Sequence, residues 1–198
     1  MIKQDKFDIT NGLKEVLELI KNSKNNPMLI GVCGGTGSGK GFFSKKLLNI
    51  TKGRILHLDD YYLGINEVTD KNFDRPSALD FDLILKHIKK LKNKETINKP
   101  TYDFSVSLRD GLEEFIPSNL LLIEGLFALD PRIVDCLDLK IYIAASEERR
   151  LERRIKRDLA ERGRTLESIK HDFNTFVKPN HIKYVKPQKA IADVIILN

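Results

Sequence analysis

The run GVCGGTGSGKGFF, residues 31–43, places Gly34, Gly39 and Lys40 at the spacing G-x-x-x-x-G-K. Glycines there let main-chain amides close around an anion, and a helix starting at the lysine adds the partial positive charge of its N-terminus. The lysine can then reach the outer phosphates of a polyphosphate. Gly34, Gly35, Thr36, Gly37, Ser38, Gly39, Lys40 and Gly41 are therefore the candidate nucleotide-binding loop. Its exception is Gly41, because Ser or Thr normally stands there and helps to hold magnesium. Mg²⁺ keeps several waters and leans on phosphates and one or two carboxylates. Asp59 and Glu124, each at the end of an expected strand, are the candidates to hold it through water. Ser44, a full helical turn beyond Lys40, is too remote.

These residues need a scaffold, and the apolar pattern predicts one. MLIGVC before the loop is a short unbroken apolar run, and FFSKKLLNI after it has helical spacing, giving strand, loop and helix. RILHLD, LLLIEG, LKIYIA and ADVIIL are further strand candidates; the unbroken runs among them suit a parallel sheet covered on both faces. Leu13, Val16, Leu17 and Ile20 mark an amphipathic helix within residues 1–26. Ser77 and Asp80 read as a capping box ahead of a helix with an apolar stripe through Leu83, Ile84, His87, Ile88 and Leu91. Residues 100–116 read as a hairpin turning at Arg109, Asp110 and Gly111, and a short helix is expected near 131–136. Ser146 can cap the charged helix EERRLERRIKRDLAER, which breaks at Gly163, and another helix follows from about Leu166. Strands alternating with helices predict an α/β fold with a doubly wound, mainly parallel sheet, whose ligands sit beyond the carboxyl ends of the strands.

Bulk composition narrows the function classes. A chain of 198 residues suits one domain, and its +6 net charge favours anionic partners. No apolar run approaches the roughly 20 residues that cross a bilayer, and the opening MIKQDKFDIT lacks a secretory leader, so a cytoplasmic setting is expected. Cys33 and Cys136 have no neighbours at metal spacing and read as small apolar fillers; His57, His87, His171 and His181 show no ligand or triad pattern. The lysines of residues 86–99 oppose an apolar stripe without interleaved aromatics, which describes a solvated helix face rather than a nucleic-acid surface.

Several longer patterns then occur in one order: GGTGSGKG, LDDYY, NFDRPSALDFDLI, PTYDFSVSLR, LLLIEGLFAL, RRIKRDLAERGRTLE and VKP with ADVII. Together they resemble the uridine kinase and phosphoribulokinase family of P-loop kinases, closest to the uridine-cytidine kinases, over nearly everything after Pro27. The resemblance implies a P-loop NTPase fold in one domain, 1–198, with a lid at 153–165 and a small β-hairpin acceptor region. It implies ATP or GTP with Mg²⁺, and phosphoryl transfer to the 5′-hydroxyl of uridine or cytidine. Asp59 matches the family's catalytic aspartate, with Asp60 as a weaker rival; Lys40, Arg154 and Arg157 would stabilise the migrating charge, and Arg153 and Arg162 would clamp the nucleotide. Asp59, Tyr62, Asp74, Tyr102, Phe104 and Arg109 fall where the family holds its acceptor. Arg149 and Arg150 read as solvated helix charges paired with nearby glutamates.

One position departs from the pattern: Ser107 stands where uridine kinases typically carry a histidine near the pyrimidine. That leaves base selection open, and with it a kinase for another small hydroxyl compound such as a sugar, sugar phosphate or vitamin. Gly41 keeps open a nucleotide-binding sensor of low turnover. The expected partners are thus a nucleotide and a small acceptor, without nucleic acid or membrane; a homo-oligomer is left open.

Overall fold

The computed structural model describes residues 5–198. The expected N-terminal segment is seen from Asp5 on, since residues 1–4 lie outside the described residues. The elements are β1 (Asp5–Asp8), α1 (Ile9–Asn22), β2 (Met28–Cys33), α2 (Lys40–Thr51), β3 (Arg54–His57), α3 (Phe81–Lys92), β4 (Ile97–Asp103) and β5 (Leu108–Phe115). After these come β6 (Leu120–Gly125), β7 (Leu139–Ala144), α4 (Glu147–Glu161), α5 (Leu166–Asp172) and β8 (Val194–Leu197). Six strands form a parallel sheet in the order β1-β8-β7-β2-β6-β3, and β4 with β5 forms a separate antiparallel hairpin.

The unbroken apolar runs follow from coverage on both faces. In β2 and β6, Leu29, Cys33, Leu121 and Ile123 point into one layer with α3, while Ile30, Val32, Leu120 and Leu122 point into the other with α1 and α2. Two aspartates set the register. Asp138 and Asp193 each stand one residue before a strand, and each accepts a 2.8 Å or shorter bond from the adjacent strand: Leu29 N donates to Asp138 Oδ2 at 2.7 Å, and Lys140 N donates to Asp193 Oδ2 at 2.8 Å. Because all six strands point the same way, the glycine loop after β2, the turn after β3 and the end of β6 gather at one edge.

The structure corrects the sequence reading in several places. β1 was not expected: DKFD is short and mostly charged, and only Phe7 packs on the core, but parallel pairing with β8 makes it the edge strand. Asp80, not a Ser77–Asp80 box, caps α3, its side chain accepting from Leu83 N. Ser77 is held in a 3₁₀ turn, Pro76–Ala78, and an isolated bridge from Leu79 to Tyr62 keeps the chain extended until Phe81. The hairpin turns through residues 104–107, where Asp103 Oδ1 accepts from Ser105 N and Ser107 adopts φ +57°, so Arg109, Asp110 and Gly111 lie in β5. Near 131–136 the chain forms a 3₁₀ turn, Val134–Cys136. Beyond α5 the helical path continues to residue 191 through π segments Phe173–Val177 and His181–Val185. Each π segment ends two residues before a proline, Pro179 or Pro187, whose missing amide breaks the α-helical ladder.

Asp138 tests the register device. Replacing Asp138 with Ala strands the buried amide of Leu29 and should cost about 1–3 kcal/mol, seen as a lower urea midpoint with an unchanged slope.

Candidate active site

A cleft of about 720 Å³ opens at that sheet edge. Thr36, Gly37, Gly39, Lys40 and Gly41 line one end, and Tyr62, Phe73, Tyr102 and Phe104 the other. Asp59 and Glu124 lie between, with Asp74 on the acceptor side and Arg153, Arg154, Arg157 and Arg162 above the loop. Of the residues singled out from sequence, Gly34, Gly35 and Ser38 shape the loop without lining the cleft, and Arg109 is outside it.

The loop owes its form to close approach. Gly37 (φ +71°) packs so tightly that a methyl there would come within 2.3 Å of the Arg150 carbonyl oxygen. Gly39 (φ +97°) occupies the cap of α2 with no side-chain hydrogen bond, so the first amides of the helix stay free for an anion. Lys40 Nζ meanwhile donates to the carbonyls of Gly34 at 2.9 Å and Gly35 at 3.2 Å. A side chain at Gly41 would meet only Glu124 Oε2, at 3.8 Å from its Cβ.

Asp59 is not on β3 itself but in the 3₁₀ turn Leu58–Tyr61 that follows it. Burial raises its carboxyl above the usual range and Glu124 adds to this, against the opposing charges of Lys40, Arg162 and His57. Glu124 ends up lowered: burial pushes it upward, but the His57 hydrogen bond, Lys40 and the His57 charge outweigh that. His57 Nδ1 lies 3.5 Å from Glu124 Oε2, and that hydrogen bond raises the imidazole. Asp60 is committed elsewhere. Lys99 Nζ, almost fully buried, donates to Asp60 Oδ2 at 2.8 Å and pairs with Glu113 at 2.9 Å, fastening the hairpin to the turn. Among the described residues no group of three or more His, Cys, Asp or Glu is arranged to hold a metal ion. Asp59 and Glu124 fit a cation that takes its remaining ligands from phosphates and water.

The acceptor end is walled by aromatics. Tyr62 meets Phe73 edge-on, with ring centroids 5.8 Å apart, and Tyr102 at 5.9 Å; Phe104 is 5.1 Å from Tyr102. Ser107 lines the same chamber, and the Tyr102 hydroxyl donates to Leu63 O at 3.3 Å. Asp74 is raised by burial, with Arg154 as the chief opposing charge. Arg109 donates from Nε to Tyr62 O at 3.0 Å and from Nη2 to Tyr61 O at 2.9 Å, and pairs with Asp80 at 3.2 Å. Its donors are spent on holding the turn that carries Asp59 and Tyr62.

The arginines are organised by a residue the sequence reading passed over. Asp158, fully buried, pairs with Arg157 at 2.8 Å, Arg154 at 3.3 Å and Arg162 at 3.7 Å. Its spacing, four residues after Arg154 and four before Arg162, is the signal that could have found it. Arg153 reaches Gly37 O at 3.4 Å, Arg154 reaches Thr36 Oγ1 at 3.4 Å, and Arg162 lies 4.9 Å from the Phe104 ring centroid, so α4 and the hairpin tip meet across the mouth. Lys71, Phe73, Asp172 and Phe176 also line the cleft, brought there by tertiary folding without a local motif. Arg149 is exposed as expected, but Arg150 is buried against the loop and not solvated.

Among the described residues no helix is long and apolar enough to cross a membrane. Comparison with known proteins gives consistent results. A 184-residue stretch is 37% identical to a uridine kinase of Oceanobacillus iheyensis, covering 88% of each chain. Another 184-residue match, 39% identical, is to uridine-cytidine kinase A of Dictyostelium discoideum; it covers 89% of this chain and 37% of that longer protein. The solved structure of a "possible uridine kinase" from Bacillus stearothermophilus superposes with a TM-score of 0.71 over 95% of this chain and 98% of its own, at 14% identity, a likeness of fold. The profile of the phosphoribulokinase/uridine kinase family matches residues 29–198, and the chain belongs to that family.

Proposed function

We propose that this chain transfers the γ-phosphoryl group of ATP to the 5′-hydroxyl of a pyrimidine nucleoside, in a cytoplasmic setting. The observation behind this reading is the cleft itself, in which a phosphate loop with its lysine and a half-buried, unpaired aspartate share one floor beneath an aromatic chamber. Asp59 takes the proton of the attacking hydroxyl, and its raised pKa suits it to that work. Lys40 leaves the carbonyls of Gly34 and Gly35 to meet the outer phosphates. Arg154 and Arg157, held by Asp158, compensate charge on the migrating group while Arg153 and Arg162 close over the nucleotide. Asp74 receives ribose hydroxyls, and Tyr62, Tyr102 and Phe104 flank the base. Mg²⁺, when bound, neutralises phosphate charge, with Asp59 and Glu124 holding it through water.

Ser107 favours a second acceptor class on the same machinery. It is small and lines the chamber, so discrimination between bases has little to act through. Turnover with a panel of uridine, cytidine, sugars and sugar phosphates decides between the two. Pyrimidine nucleosides should give the highest kcat/KM, and a sugar surpassing them would replace the first reading with the second.

Asp59→Asn should lower kcat by about 10²- to 10⁴-fold while leaving ATP affinity intact. The same variant should melt higher at neutral pH. Burial raises the folded-state pKa of Asp59, so keeping it ionised costs stability above its ordinary value, and asparagine removes that cost. The acid limb of kcat/KM in the unmodified protein should accordingly lie above the pH at which an ordinary aspartate titrates. Gly41→Ser should fold at least as well as the parent, since the Cβ meets open space beside Glu124. Its added hydroxyl should lower the Mg²⁺ concentration needed for half-maximal turnover; an unchanged requirement would show that position 41 does not face the metal.

A further inference from the structure

Arg150 lies outside the cleft, yet it is the charged residue packed most closely behind the phosphate loop. It is 3% exposed, and its Nε and Nη1 have no hydrogen-bond partner among the described residues. A methyl on Gly35 would come within 2.8 Å of Nη1, and one on Gly37 within 2.3 Å of the Arg150 carbonyl oxygen, so the residue underlies the loop's apex along both backbone and side chain. The guanidinium carbon sits 5.8 Å from the Phe173 ring centroid, which supplies packing and no counter-charge. Of the two acidic residues on the same helix turn, Glu147 is paired with Lys178 at 2.8 Å and Glu148 is solvent-exposed. His181 is the other polar group at Gly35; burial first and Arg150 second hold its imidazole down at about 4, so it is neutral.

An arginine buried without a carboxylate is costly, commonly by several kcal/mol. Most buried charges therefore have a partner in the same fold. Among the described residues, the feature beside the guanidinium that is built to receive negative charge is the loop on its far side. The thinness of that loop matters: Gly35 and Gly37 leave no side chain between the cation and the amide nest.

We propose that Arg150 is a positioning residue for the phosphate loop, its guanidinium bracing residues 35–37 from behind and holding a positive charge that is balanced only when a triphosphate occupies the other face. The inference rests on the reading that the loop takes a nucleoside triphosphate. It assigns Arg150 no contact with the nucleotide, so its effect belongs to the phosphates and not to the base or the acceptor.

Calorimetric titration of the full chain with ATP and with inorganic tripolyphosphate, alongside melting of the ligand-free protein, tests this. Failure of the unmodified protein to bind either ligand would sink the reading of the loop, independently of Arg150. Given binding, Arg150→Met should weaken both ligands equally, by about tenfold, while the ligand-free protein melts no lower than the parent. A purely structural arginine would lower melting temperature and affinity together. Arg150→Lys keeps the charge and should hold tripolyphosphate affinity within about threefold, and it gives an answer even if the methionine variant does not fold. Unchanged affinity in Arg150→Met, a loss confined to ATP, or a tenfold loss in Arg150→Lys would each overturn the proposal.

Discussion

The site depends on backbone amides that the protein itself leaves unsatisfied. At the head of α2 the cap residue is Gly39, in a left-handed conformation and without a capping side chain, so the helix presents donors instead of pairing them. Unpaired donors at a buried edge are normally unfavourable. Here they are tolerable because the edge opens onto a cleft, where water or an anion can satisfy them. Lys40, folded back onto the carbonyls of Gly34 and Gly35, satisfies acceptors of the same loop and leaves those amides free. A loop so tight cannot carry side chains, and the carbonyl of Arg150 and the amide of Asn198 fill the space where side chains at Gly37 and Gly39 would project.

The other half of the cleft is positioned by paired charges. Lys99 joins Asp60 to Glu113, and Arg109 joins the carbonyls of Tyr61 and Tyr62 to Asp80. Both cations originate in the hairpin and end on the 3₁₀ turn that bears Asp59. The hairpin therefore does two jobs: it supplies the aromatic wall and it fixes the aspartate against the loop. Lys99, the buried member, would be left uncompensated without its two carboxylates, so the turn is held against the hairpin more strictly than hydrophobic contact alone would require.

Much of this was legible in the chain. MLIGVC and LLLIEG are apolar at nearly every position because both faces of the sheet are covered, and Ser146 and Gly163 bracket α4 as expected, Ser146 Oγ accepting from Arg149 N and Gly163 adopting φ +58°. What was not legible depends on partners distant in sequence. DKFD becomes a strand only because β8 lies beside it. R-D-G has the composition of a turn, but Arg109 is drawn into β5 by carbonyls 47 and 48 residues away. Arg150 could not be told from Arg149 by pattern, since both have glutamates nearby; only the approach of the glycine loop buries one and leaves the other in solvent. Lys71 and Phe176 carried no signal at all, being placed in the cleft by loop and π-helix paths.

The proposed chemistry also follows from how charge is divided across the cleft. Arginines and Lys40 crowd the phosphate end, while Asp59 lies between the ends and Asp74 on the acceptor side, each raised by burial and restrained by nearby cations. For Asp59 the chief restraining charge is Lys40. A triphosphate in the loop would draw that lysine toward its own oxygens and set several negative charges beside the carboxylate. Both changes weaken the stabilisation of ionised Asp59, and a Mg²⁺ held by Asp59 and Glu124 would act against them. Lys40 is thus the cation that favours ionised Asp59 in the phosphate-free cleft. Occupation of the phosphate end and titration of the carboxylate beside it are therefore coupled through a single side chain.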